Sequence, residues 1–83
     1  MKLVYFAWVR QKVGRGEEDL ALPAGVKTVG DLVAHLRARG GGYEEAFGDV
    51  KRLRAAVNQE HVGFDAGISA SDEVAFFPPV TGG

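Results

Sequence analysis

Cysteine is absent from the 83 residues. The chain therefore has no disulfide staple, no thiolate nucleophile and no thiolate metal ligand, and any reactive sulfur it handles cannot sit on a cysteine side chain. Long apolar runs are missing too. No segment approaches the roughly 20 apolar residues that a membrane helix needs, and Met1-Lys2 is not followed by the apolar stretch of a secretion signal. A cytoplasmic protein that binds no membrane is the expectation. An excess of one charge is lacking as well: the net charge is −1, which gives no footprint for nucleic acid or an anionic lipid surface. There is no GxxxxGK[ST] phosphate loop, since Gly40-Gly41-Gly42 is followed by neither lysine nor hydroxyl. His35 and His61 have no cysteine or acidic cluster beside them and make a poor metal site. No nucleophile and base stand at usable spacing, so the chain is not expected to catalyse anything alone, nor to bind a cofactor.

What is present suits one small domain. Hydrophobic residues make up 46% and charged residues 25% of the chain, as in an ordinary folded protein. Leu3 to Val9 is a dense apolar run that predicts a first strand, and Gly14-Arg15-Gly16 predicts the turn of a hairpin. Glu17 to Leu22, closed by Pro23, is then the second strand. Thr28 and Asp31 form a capping pair, and Val29, Leu32, Val33 and Leu36 make one apolar stripe, so a helix runs from there to Gly40. Gly30 in its first turn has no explanation in the sequence. Tyr43 to Phe47 predicts a short helical turn. Leu53 to Val57, turned by Asn58-Gln59, His61-Val62, and Val74 to Phe77 predict three further strands. The order β-β-α-β-β-β describes an α+β domain with one main helix on a mixed sheet.

One helix covers one face of a sheet, so the strands should be apolar on one side only. The first and last strands are apolar on both: Val4, Phe6 and Trp8 alternate with Leu3, Tyr5, Ala7 and Val9, and Val74 to Phe77 behaves likewise. An uncovered apolar face predicts a partner surface, the alternative being a loop such as 42–51 folded over it. The Arg10, Lys12, Arg15 stretch reads as a solvated hairpin face able to steer an acidic partner, and Glu17-Glu18-Asp19 as a solvated face.

The chain ends Pro78-Pro79-Val80-Thr81-Gly82-Gly83. The prolines stop the sheet and hold an extended arm that reaches roughly 20 Å. Its last two residues have no side chain, so the tip fits a channel too narrow for anything else and presents a bare carboxylate. That group is a poor electrophile until activated, most simply as an anhydride with AMP. A glycine-ended terminus is common by itself, but this run directly after an apolar strand is far more specific.

From Asp72 to Gly83, and at Ala55-Ala56-Val57-Asn58-Gln59, the sequence resembles the small subunits of molybdopterin synthase, sulfur carriers of the ubiquitin-like β-grasp family. Val4-Tyr5-Phe6-Ala7 with Arg10 and Gly14 adds weaker support, and the match spans essentially the whole chain. The resemblance implies a β-grasp domain over 1–77 and an extended tail over 78–83. It implies that an E1-like enzyme uses ATP to adenylate Gly83, that a sulfur-donor protein converts it to a thiocarboxylate, and that the tail, with Gly82 allowing it to thread, enters the large synthase subunit within a heterotetramer. Phe6, Arg10, His61, Phe77, Pro78, Pro79, Val80 and Thr81 are the implied partner contacts. His61 stands where the family often has an aliphatic residue, and Ala70-Ser71-Asp72 replaces a usual Asp-Gly-Asp turn. A carrier for thiamine or tRNA thiolation, a ubiquitin-like modifier and a non-covalent β-grasp binding module are the alternatives.

Overall fold

The last strand in sequence is the middle strand in space. Residues 1–79 are described, in a computed structural model. Strand β5 (Glu73–Phe77) runs parallel to β1 (Lys2–Tyr5), with Leu3 opposite Val74 and Tyr5 opposite Phe76. On its other side it runs antiparallel to β3 (Arg54–Val57), with Ala56 opposite Ala75. Strands β2 (Glu17–Asp19) and β4 (Glu60–Val62) complete the order β2-β1-β5-β3-β4. The expected mixed sheet is present.

Helix α2 (Val29–Arg37) starts as its sequence dictates. The Thr28 hydroxyl accepts from the Asp31 N–H at 3.1 Å, and the Asp31 carboxylate accepts from the N–H groups of Lys27 and Thr28. Those backbone donors, Lys27 first, hold the Asp31 carboxyl below its usual range. Val29, Leu32, Val33 and Leu36 are all buried, as the stripe predicts. Gly30 now has a reason. Its N–H donates to the Phe64 carbonyl at 2.7 Å, and a β-carbon there would stand 3.2 Å from the same oxygen. The segment 63–68 docks on the opening turn of α2, and glycine lets it come so close without the carbonyl having to shift.

Helix α3 (Gly41–Phe47) extends the predicted turn and lies on the same side of the sheet, so segment 42–51 does not cover the other face. Its Phe47 packs edge-on against Phe76 at 5.0 Å and against Tyr5 at 6.1 Å, and this aromatic trio fills the centre of the core.

The start of the chain departs from expectation. The strand predicted through Val9 ends at Tyr5, and Ala7–Val13 is a helix, α1. Ala7 adopts a left-handed conformation, φ 52°, which breaks the extended run. Val9 is fully buried and Val13 packs on the core four residues later, a helical spacing. Gly14, expected in a hairpin turn, is the left-handed C-cap of α1 at φ 91°, its N–H donating to the Arg10 carbonyl at 2.8 Å. β1 and β2 still pair antiparallel, but with a helix between them, and β2 stops at Asp19 rather than Leu22.

Candidate functional site

Strand β5 alternates in burial. Val74 and Phe76 are sealed in the core, while Ala75 and Phe77 are half-buried on the opposite face. Parallel pairing sets Val4 beside Ala75 on that face, and antiparallel pairing adds Ala56, itself opposite His61. The Phe6 N–H continues the ladder by donating to the Phe76 carbonyl at 3.0 Å, which puts Phe6 next to Phe77. Phe6 is 51% exposed although it is a large apolar side chain. The His61 ring lies 5.0 Å from the Phe77 ring. Phe6, Ala56, His61, Ala75 and Phe77, with Gln59 and Glu73 at the rim, enclose a shallow concavity of about 490 Å³. Its floor is apolar and its edge polar, the anatomy of a protein-docking surface.

Three of the sequence-predicted contacts, Phe6, His61 and Phe77, thus converge. Arg10 stands at the margin. It projects from α1 over Gly16 and borders a second recess that Val4 and Phe6 also line. Pro78 and Pro79 leave the end of β5 half-buried, in a groove walled by Trp8, Lys51 and Arg52. Val80, Thr81, Gly82 and Gly83 lie outside the described residues. Sequence reasoning did not name Ala56 and Ala75 as site residues, although their small side chains leave room for the concavity. The alternation of β5 with its partners' register was the signal that marks them.

The far end of the sheet is held by a polar cluster. Glu18, expected on a solvated face, has a side chain only 8% exposed and pairs with the Arg39 guanidinium at 2.8 Å. Its carboxylate also accepts from the hydroxyls of Tyr5, at 2.9 Å, and Tyr43. Burial alone would raise the Glu18 pKa, but the hydrogen bonds from Arg39, Tyr43 and Tyr5 outweigh it and hold the carboxyl below its usual range. Burial, with the Glu18 charge behind it, raises the Tyr5 hydroxyl. The Arg39 guanidinium also lies over the Tyr43 ring at 4.8 Å. This cluster ties β2 to the α2–α3 corner. At the end of β5 opposite the tail, Asn58 and Asp72 brace the start of the strand: the Asn58 amide donates to the Asp72 carboxylate at 3.0 Å, and its oxygen accepts from the Glu73 N–H. Asp72 also accepts from the Ser69 N–H at 2.7 Å, closing the turn that departs from the family pattern.

Among the described residues no group of three His, Asp or Glu side chains is placed to hold a metal ion. Nor is any helix among them long and apolar enough to cross a membrane.

The sequence matches the model of the ThiS family over residues 3–83. The molybdopterin synthase sulfur carrier subunit of Escherichia coli (strain K12) is 46% identical over 83 residues, covering 100% of this chain and 99% of that protein. The subunit of the same name from Haemophilus influenzae is 31% identical over 87 aligned residues, covering 100% of this chain and 99% of that one. Among solved structures, small archaeal modifier protein 1 of Haloferax volcanii superposes with a TM-score of 0.75 at 25% identity, covering 96% of this chain and 97% of that chain.

Proposed function

The chain belongs to the ThiS family, with its ubiquitin-like β-grasp fold, and is a sulfur carrier subunit of molybdopterin synthase in molybdenum-cofactor biosynthesis; we propose that its working atom is the terminal carbonyl carbon of Gly83. The single observation that carries this reading is continuity. The strand that lends Phe77 and Ala75 to the open apolar face runs straight into Pro78-Pro79 and the side-chain-free end of the chain. A partner that covers the face therefore receives the tail in the same act.

The chemistry proceeds in three stages. An E1-like enzyme transfers AMP from ATP to the Gly83 carboxylate and releases pyrophosphate, turning a poor electrophile into an acyl adenylate. The outer sulfur of a persulfide on a sulfur-donor protein attacks that carbonyl and AMP leaves. A thiol then cleaves the sulfur–sulfur bond of the acyl disulfide, is itself oxidised to a disulfide, and leaves the tail ending in a thiocarboxylate. The large subunit of the synthase, docked on Phe6, His61 and Phe77 with Arg10 at the rim, takes up Pro78 to Gly83; the sulfur bonds to a pterin precursor, and water cleaves its bond to the Gly83 carbonyl, restoring the carboxylate. The thiocarboxylate is a soft nucleophile, and the carrier needs no catalytic side chain of its own. Residues 1–77 serve as the handle and residues 78–83 as the arm. The reading sets this work in the cytoplasm.

Intact-mass measurement after incubation with the adenylating enzyme, ATP and the sulfur donor tests this. The expected product is heavier by the difference between one sulfur and one oxygen, and deletion of Gly83 removes it while leaving thermal unfolding unchanged. If sulfur never replaces a terminal oxygen, the reading fails.

The likeness to small archaeal modifier protein 1 supports a second reading, attachment of Gly83 to lysines of other proteins. Its signature is an isopeptide-linked adduct of higher mass that survives reduction and denaturation.

A further inference from the structure

The sheet loses its hold on the chain at Phe77, whose partner in the register is Arg54. Pro78 and Pro79 have no N–H to donate, so no ladder bond from their nitrogens can orient the root of the tail. Both are nevertheless half-buried. Trp8 and the Lys51-Arg52 end of the 3-10 turn Val50–Arg52 line one groove of about 280 Å³ together with the two prolines. Trp8 occupies the first turn of α1, one residue past the left-handed Ala7. The bend at Ala7 is what separates Phe6, exposed on the open face, from Trp8, turned to the tail. The indole also meets Arg52, whose guanidinium carbon lies 5.5 Å from the ring centroid. A cation over an indole face restrains the ring. Proline-rich segments dock on aromatic surfaces because their backbone is already extended and little freedom remains to lose.

We propose that Trp8, braced by Arg52, is a positioning residue for the tail: its ring backs Pro78-Pro79 and sets the direction in which the chain leaves the sheet. This rests on the sulfur-carrier reading, because it matters only if another protein must capture the end of the chain. A root with a fixed heading lowers the freedom lost when the tip enters the adenylating site. The reacting carbonyl belongs to Gly83, four residues beyond Pro79 in the chain. The effect therefore falls on capture and leaves the chemical step alone.

The test uses the full chain and its adenylating enzyme, with ATP–pyrophosphate exchange as readout. Trp8→Ala is expected to raise the apparent KM for the carrier about five- to tenfold while kcat stays within about twofold, because ordering costs enter binding. Trp8→Phe restores KM to within about twofold, and Arg52→Ala gives a smaller rise than Trp8→Ala. Proton NMR on the wild-type chain supplies a second measurement, with nuclear Overhauser contacts expected between the Trp8 indole and the Pro78 and Pro79 rings. Unchanged KM in folded Trp8→Ala overturns the proposal, as does a KM rise that phenylalanine does not correct. So does the absence of the indole–proline contacts, which decides the matter even if Trp8→Ala fails to fold. If the wild-type chain is not adenylated at all, the sulfur-carrier reading fails instead, and the NMR contacts still judge whether Trp8 holds the tail root.

Discussion

The His61 imidazole packs on the Phe77 ring at 5.0 Å between centroids, tilted by 45°, and so puts ring nitrogens at the edge of an otherwise apolar open face. A partner that covers them must strip their water or supply hydrogen bonds. His61→Leu keeps the bulk and removes the nitrogens. It is expected to tighten binding to the large synthase subunit a few-fold by titration calorimetry. Weaker binding in this variant would instead mean that the partner makes a specific polar contact with His61.

Phe6 is 51% exposed and contributes little to the core, so Phe6→Asp is expected to change unfolding free energy by less than about 1 kcal/mol. The same change puts an unpaired charge at the centre of the docking surface, and affinity for the large subunit should fall about a hundredfold. Size-exclusion chromatography of the mixed subunits shows this directly. A complex that survives Phe6→Asp would show that the open face is not the interface.

Where α1 crosses α3, a β-carbon on Gly42 would lie 1.8 Å from the Lys12 carbonyl oxygen, which belongs to backbone and cannot swing aside. Gly42→Ala forces the two helices apart. Urea unfolding is expected to show a loss of about 2–3 kcal/mol. A loss under half of that would mean that the helices slide freely over each other.

Glu18 links pH to stability. Its pKa is lowered in the folded chain, so the unfolded chain takes up that proton first as pH falls. The stabilisation is full above the ordinary value of 4.5 and is lost as pH drops through the folded value below it. Glu18→Gln is expected to cost about 2–3 kcal/mol at neutral pH, because it leaves Arg39 without its anion. It should also make the acid limb of stability against pH shallower. The limb persists in part because Asp31 and Asp72 are lowered as well. Acid limbs that run parallel in the two proteins would count against a charged Glu18 at this position.

Legibility in the sequence followed the range of the interactions. Helix α2 was readable because Thr28, Asp31 and the apolar stripe all act within a few residues of one another. The open face was readable in outline, since β1 and β5 carry more apolar side chains than one covered face requires. Helix α1 was not, because Leu3 to Val9 is so uniformly apolar that neither period stands out, and its end signal, Gly14, also suits a hairpin. Val9 and Val13 at helical spacing just before that glycine were the available clue. The Glu18 cluster was invisible because Tyr5, Arg39 and Tyr43 lie 13, 21 and 25 residues away in the chain. The Trp8–Arg52 groove is hidden for the same reason. The terminal motif was plain in the sequence itself, where Pro78-Pro79 and the closing glycines stand side by side.

The strand that bears the tail has a bonded neighbour on each flank, β1 on one and β3 on the other. A pull on the carboxyl end loads both rows of hydrogen bonds lengthwise, and rows loaded that way must break together instead of unzipping one after another. Traction from an enzyme that grips the tip is thus borne by the best-anchored part of the molecule. Under the proposed mechanism, repeated capture of the carboxyl end would leave the body behind it intact.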